Sequence, residues 1–359
     1  RFKNELLFNE RGTSYDLKSE IITYSGKNTS KVVRVVKQGQ ESEEVIYTFY
    51  EFEYHQLLTE RFNKRNILLK NLLLFWLVFK KLPQLLKRVF VHDHYNRPYL
   101  TFYAFSILVL VSLAVLFLIP ASVDMVNDFQ VAKKALAFIE SSTGDLPNYI
   151  KEAYKWTVPL TTFVLLVIPE SKTIVTSIAT EFACADQYLN DGIQSQLISG
   201  NLDLLVEYIS EHESEPKIHF HCYSFGCLIA TDYLFPLGTM PSKNAKLLTD
   251  VLITIGNPYE FINSYYNSYF KNRNLVMEQK IKWLNVYSIS DALSSNFRND
   301  STRGEALNGI RDSSLKPINL NYEISTDKNQ HFFNFILRIN HQCTFTKDNS
   351  PTNFIKNFN

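Results

Sequence analysis

A serine that follows a short apolar run is the clearest sign of chemistry in this sequence. Ser224 comes just after the run at 218–222, and Gly226 then precedes apolar residues at helical spacing, namely Leu228, Ile229, Tyr233 and Leu234. This pattern predicts a strand, a tight turn and a helix. Such a turn lifts a serine hydroxyl off the sheet and points the first N–H groups of the helix at the same place. The sequence therefore predicts a nucleophile beside an oxyanion site.

The residues around this serine carry a resemblance to a known family. Cys222-Tyr223-Ser224-Phe225-Gly226 resembles the G-x-S-x-G nucleophile elbow of α/β-hydrolases of the lipase and esterase type, with Cys222 in place of the first glycine. That position needs a small side chain, which cysteine supplies. The resemblance implies an α/β fold, α/β-hydrolase-like, with a mostly parallel sheet, flanking helices and a triad in the chain order Ser, Asp, His.

Suitable partners for Ser224 follow it in that order. Asp291 stands just past the predicted buried strand at 281–289, which matches the position of the family's orienting acid. For the base, His341 is preferred over His331, because the family's histidine emerges from a loop after the last core element. The N–H of Phe225 is the expected first oxyanion donor, and the sequence shows no convincing second donor. The resemblance implies neither a cofactor nor a metal ion.

Histidines and cysteines near the elbow are interpreted as packing groups. His219 and His221 lie on one face of the predicted strand, and we expect core or supporting histidines there and not metal ligands. Neither metal-ligand spacing nor a disulfide framework connects the four cysteines, Cys184, Cys222, Cys227 and Cys343. Those at 222 and 227 are expected to pack as small apolar groups, and unpaired thiols favour a reducing compartment.

Composition limits the class of protein. The chain has 359 residues, of which 45% are hydrophobic and 20% charged, so it can bury a large core in one to three domains. A net charge of +1 gives no argument for binding to nucleic acid.

One stretch of the chain has the composition of a transmembrane helix. Residues 100–119 contain no charged side chain and are bracketed by Pro98 and Pro120. If the sequence on both sides builds one sheet, the chain must cross the membrane an even number of times, and residues 150–168 are the best second span. An excess of Lys and Arg outside the intervening loop favours a cytoplasmic hydrolase part. Residues 67–79 are too interrupted to span and predict an interfacial or buried helix.

These patterns divide the chain into three parts. Residues 1–60 are the expected first part of the hydrolase sheet, with strands at 31–36 and 44–54. Residues 61–178 are the expected membrane-associated insertion, and residues 179–359 the main part, which contains the elbow. The predicted fold is thus α/β-hydrolase-like with an inserted pair of transmembrane helices.

The resulting functional hypothesis is a membrane-anchored serine hydrolase. Its substrate would be a carboxylic ester, and the predicted anchor favours a lipid or phospholipid. The alternative is a catalytically inactive hydrolase fold that serves as a membrane-bound interaction or effector scaffold. Covalent labelling of Ser224 would distinguish the two, and neither hypothesis involves nucleic acid or fixes an oligomeric state.

Overall fold

The computed structural model describes residues 13–39, 43–90, 109, 111–115, 171–266, 268–287, 294–295, 297, 309–310 and 312–321. These residues fall into two compact units. One is drawn from Arg1–Tyr54, Ser195–Asn263 and Asn267–Asn359, and the other from His55–Gln194 and Ser264–Tyr266. The first unit holds both sheets and the elbow, and the second is helical.

The first sheet is antiparallel and has three strands in the order β1-β2-β3. The strands are β1 (Ser14–Ser25), β2 (Asn28–Gln38) and β3 (Glu43–Tyr50). Gly26 has a φ of +56° in the turn between β1 and β2, a conformation that favours glycine. The β-branched residues of β2 supply the buried side chains Val32, Val35 and Val36. Strand β1 was not predicted, because it lies at the sheet edge and its residues are mostly polar and exposed.

The second sheet is parallel and has four strands in the order β4-β5-β6-β7. The strands are β4 (Ile218–Tyr223), β5 (Thr249–Ile255), β6 (Lys282–Tyr287) and β7 (Ile318–Asn321). All but one of the β5 residues and all but one of the β6 residues are buried, as expected of parallel strands covered on both faces. One side of this sheet packs into a cluster of Val251, Ile253, Ile255, Leu284 and Val286.

Helices lie between these strands along the chain. They are α1 (Tyr54–Asn63), α2 (Ile67–Phe90), α3 (Ser171–Asp191), α4 (Ile193–His212), α5 (Gly226–Leu234), α6 (Lys243–Leu248) and α7 (Tyr259–Tyr265). The predicted strands at 31–36 and 281–289 coincide with β2 and β6, whereas the one at 44–54 ends at Tyr50. Helix α2 packs against α3 within the helical unit. The predicted helix at 67–79 is therefore confirmed, and it continues through Pro83.

The structure corrects the predicted fold in two respects. No helix in the described part of the chain is long and apolar enough to cross a membrane, so the inserted pair of transmembrane helices is wrong. Of residues 100–119 only residue 109 and residues 111–115 are described, and residues 150–168 lie outside the described ranges. Helix α2 is long, but Lys70, Lys80 and Lys81 interrupt its apolar sequence. The prediction of one mostly parallel sheet is also wrong, because β1 to β3 form an antiparallel sheet of their own.

Candidate functional site

Ser224 occupies a strained turn between β4 and α5. Strand β4 ends at Tyr223 and α5 begins at Gly226, so two residues reverse the chain. Ser224 has a φ of +52°, in the left-handed region, whereas Phe225 is already helical at φ −58° and ψ −28°. A left-handed residue with a side chain costs about 1 to 2 kcal/mol. The strand, turn and helix predicted at this position are confirmed, and the strain lies on the serine.

Backbone hydrogen bonds hold the turn in this strained form. The N–H of Ser224 donates to the carbonyl of Ile255 at 2.9 Å, which extends the β4 and β5 pairing past the end of β4. The serine carbonyl in turn accepts from the N–H of Cys227 at 3.0 Å, and the Phe225 carbonyl accepts from Leu228 at 3.0 Å. The serine is therefore fixed to the neighbouring strand on one side and to the helix on the other, as strained functional residues usually are.

Two cysteines pack the helix onto the strand. The Cys227 thiol points at the carbonyls of Cys222 (3.3 Å) and Ile255 (3.7 Å), and both cysteines are buried. Burial raises the pKa of Cys222 to about 12 and that of Cys227 well above its usual value. A thiol with so high a pKa carries almost no thiolate at neutral pH and is a poor nucleophile. These cysteines act as small packing groups, as expected, and leave the serine as the candidate nucleophile of the turn.

The start of α5 supplies donors for a negative charge. The first N–H groups of an α-helix have no acceptor within the helix, and the helix dipole makes this end partially positive. The residue at the N-cap is Phe225, whose side chain has no oxygen to accept these N–H groups. The N–H that follows Ser224 thus belongs to the positive end of a helix, which suits the predicted oxyanion donor.

An aromatic residue that the sequence did not single out lies over the turn. The ring of Tyr54, at the start of α1, is 6.2 Å from the ring of Phe225. A Cβ added to Gly226 would lie 3.6 Å from Cε1 of Tyr54, which is an ordinary van der Waals distance. Alanine would therefore fit at 226, so the glycine of the motif is not required sterically. Only the fold brings Tyr54 here, because it lies far from the elbow in sequence.

The two elbow-strand histidines connect β4 to the antiparallel sheet. Nδ1 of His219 lies 2.6 Å from the hydroxyl of Tyr47, and the His221 ring packs edge-on against Tyr47 and Phe49. Desolvation lowers the pKa of both imidazoles and raises the pKa of Tyr47 to about 12. Both rings are thus predominantly neutral at pH 7 and engaged with aromatic neighbours. They are supporting residues, as expected from the sequence.

A row of polar side chains crosses the middle of the parallel sheet. Thr254, Asn285 and Asn319 are paired neighbours on β5, β6 and β7. The threonine hydroxyl donates to Oδ1 of Asn285 at 2.9 Å, and Nδ2 of Asn285 donates to Oδ1 of Asn319 at 3.1 Å. Asn285 also donates to the carbonyl of Ser295 at 2.9 Å, and Asn319 to that of Phe297 at 2.8 Å. The row anchors part of the segment that follows β6, which is the segment where the sequence predicts the catalytic acid.

Two buried polar atoms lie in the segments that follow β5 and β6. The Asn257 carbonyl accepts from the N–H of Ser295 at 2.8 Å, which joins the two segments. Oδ1 of Asn257 and Oγ of Ser294 are buried and have no hydrogen-bond partner among the residues that the structure describes. Buried polar atoms normally have a partner. These two therefore mark a polar spot near the carboxyl ends of the parallel strands, where ligands bind in sheets of this kind.

The described residues include half of the predicted catalytic set. Ser224 and Phe225 are placed together at the turn, as predicted. Asp291, His341 and the alternative base His331 lie outside the described residues. The roles of acid and base therefore remain predictions from the sequence.

Comparison with known proteins adds no relative. No family model, no curated protein and no solved structure matches the chain. The functional interpretation consequently rests on the chemistry and geometry of the chain itself.

Proposed function

We propose that this protein is a serine ester hydrolase with Ser224 as its nucleophile. The observation that carries the proposal is the positive φ of that serine at a turn from a parallel strand into a helix. Ordinary turns place Gly, Asn or Asp in the left-handed region, and a serine held there is unusual. The resemblance to the α/β-hydrolase elbow and the parallel order of β4 to β7 support the same chemistry.

In the proposed reaction the Ser224 hydroxyl attacks the ester carbonyl while a histidine removes its proton. The N–H of Phe225 stabilises the oxyanion of the tetrahedral intermediate. The histidine then returns the proton to the leaving alkoxide, which departs as an alcohol and leaves an acyl-serine. Water, deprotonated by the same histidine, attacks the acyl group, and the carboxylic acid leaves as the serine recovers its proton.

The remaining roles are assigned to residues downstream of the elbow. His341 is the proposed base and Asp291 the carboxylate that fixes its tautomer, with His331 as the alternative base. The proposal specifies a carboxylic ester and no cofactor or metal. A lipid substrate was favoured only because of the predicted transmembrane helices, so the proposal does not specify a lipid.

The test is covalent labelling by a fluorophosphonate probe combined with turnover of a short-chain nitrophenyl ester. The native protein should be labelled, and Ser224→Ala should lose both the label and the turnover. The matched control is Ser268→Ala at an exposed serine, which should keep both. Expression and thermal stability should be similar in the two variants.

The histidine variants separate the base from the alternatives. Loss of turnover in His341→Ala should approach that of Ser224→Ala, since residues that act as a unit are not additive. If His331→Ala is the inactive variant instead, the base is reassigned and the serine mechanism stands. Absence of labelling in the native protein would refute the proposed hydrolase activity and leave the catalytically inactive scaffold as the remaining hypothesis.

A further inference from the structure

The long helix α2 presents a continuous apolar surface to solvent. Its large exposed side chains, which we call the outer stripe, are Leu68, Leu69, Leu72, Phe75, Trp76, Phe79 and Leu82. Spacings of three and four residues place most of them along one side of the helix. Exposure reaches 63% at Leu72 and 64% at both Trp76 and Phe79, so these side chains are mostly in water. A contiguous exposed apolar surface of this kind normally marks an interaction site.

The opposite side of α2 is fixed to its own unit, which keeps the outer stripe outward. Leu74 and Leu77 are buried on that side, and α2 packs against α3. Lys81 is also buried there, with Nζ 3.3 Å from a carboxylate oxygen of Asp186 and 3.5 Å from the centre of the Tyr266 ring. Rotating α2 to bury the stripe would break this buried ion pair. A buried charge left without its partner destabilises the folded protein several-fold more than the loss of an exposed ion pair does. The orientation of the stripe is therefore built into the fold.

The charge of α2 has a single sign. Ile67–Phe90 contains Lys70, Lys80, Lys81, Lys87 and Arg88 and not one Asp or Glu. Of these only Lys81 is buried among the side chains that the structure describes. Lys80 keeps 40% of its side chain exposed, although its Nζ lies 3.6 Å from a carboxylate oxygen of Asp186. An apolar stripe with aromatic residues, set in a helix whose charges are all positive, is typical of helices that lie in the surface of an anionic bilayer.

We propose that the outer stripe of α2 docks on a bilayer that contains anionic lipid, with the helix axis parallel to the surface. Phe75, Trp76 and Phe79 would enter the boundary between headgroups and acyl chains, where aromatic side chains are favoured. Lys and Arg would meet the lipid phosphates. The helix of 24 residues is about 36 Å long, so it offers one side of that length to the surface. This inference stands independently of the proposed ester hydrolysis.

Charge distinguishes the bilayer from other occupants of the stripe. A second copy of the chain would bring two helices of like charge together, and like charges across an interface oppose binding. The apolar residues 100–119 of the same chain carry no charge and would leave the Lys and Arg side chains of α2 uncomplemented. An anionic bilayer supplies both the apolar interior and the negative surface.

The experiment measures binding of the full chain to vesicles by flotation. Vesicles of phosphatidylcholine with about 30% phosphatidylglycerol should bind the native protein, and pure phosphatidylcholine should bind it at least about ten-fold more weakly. The triple variant Phe75→Gln, Trp76→Gln, Phe79→Gln should lose on the order of a hundred-fold in partitioning, because three large apolar side chains no longer enter the lipid. The control is a triple variant at similarly exposed positions, Ile193→Gln, Leu237→Gln and Leu247→Gln, which should bind as the native protein does.

A second measurement needs no disruptive substitution. Brominated phosphatidylcholine quenches tryptophan at short range, so native protein on anionic vesicles should be quenched more than Trp76→Phe, the difference coming from Trp76. Equal quenching, or retained binding in the α2 triple variant, would overturn the proposal and point to another segment as the contact. If the native protein does not bind the anionic vesicles, the proposal also fails. In that case a change in oligomeric state on substitution would identify a second copy of the chain as the occupant.

Discussion

The strained backbone of Ser224 can be tested without reference to catalysis. We predict that Ser224→Gly is more stable than Ser224→Ala, although both remove the same hydroxyl. Glycine enters the left-handed region without the steric cost that any Cβ incurs at a φ of +52°. At most positions the order is the opposite, because glycine loses more backbone freedom on folding.

The magnitude follows from two opposing terms. Removing the Cβ relieves about 1 to 2 kcal/mol of left-handed strain. The greater conformational freedom of glycine in the unfolded chain lowers the free energy of unfolding by about 0.5 to 1 kcal/mol. The net expectation is that Ser224→Gly exceeds Ser224→Ala by about 0.5 to 1 kcal/mol in the free energy of unfolding.

The matched control is the same pair of substitutions at Ser199, in the interior of helix α4. Glycine there should be about 1 kcal/mol less stable than alanine, because a helix interior disfavours it. Urea denaturation followed by circular dichroism measures all four variants. A Ser224→Gly protein that is less stable than Ser224→Ala, as at the control site, would show that the serine is not left-handed in solution, and the elbow would lose its main support.

Three further predictions concern the support of the site and of the fold. Asn285→Ala should destabilise by about 2 to 4 kcal/mol in urea denaturation, because it leaves its buried partners unsatisfied, and little change would mean that the polar row is not formed. Arg273→Ala should lower the free energy of unfolding by about 3 to 5 kcal/mol, because the side chain is buried and its Nη1 lies 2.6 Å from Oδ1 of Asp232. The double variant Asp232→Asn, Arg273→Met should recover part of this loss, because it removes both charges. Desolvation lowers the pKa of His221 to about 4 in the folded protein, whereas the pKa is about 6.5 in the unfolded chain. Between these two values the unfolded chain binds the proton and the folded protein does not. The free energy of unfolding should therefore be unaffected by this group above pH 6.5 and should fall as the pH drops toward 4. His221→Gln should reduce this acid sensitivity in thermal melts from pH 7 to 4, by a modest amount because the residue keeps exposed surface, and an unchanged profile would contradict the assignment.

Local sequence pattern was sufficient for the elbow and for the strands beside it. The apolar run before Ser224, the small residues after it and the helical spacing beyond correspond to β4, the turn and α5. The buried strand β6 was likewise visible as a short apolar run. These features depend on residues close together in the chain, so periodicity and residue size predict them. Asp291 and His341 remain predictions, because they lie outside the described residues.

Long-range packing decided the rest. The strain on Ser224 depends on its hydrogen bond to Ile255, and the cover over the turn depends on Tyr54, which is separated from Ser224 by residues 55–223 of the chain. Strand β1 forms by pairing with β2 in spite of its polar sequence. The orientation of α2 depends on the burial of Lys81 against Asp186, although the sequence alone left an interfacial and a buried helix equally open. Composition shows which segments are apolar, but only tertiary contacts decide which apolar surfaces are covered, because burial depends on partners distant in the chain.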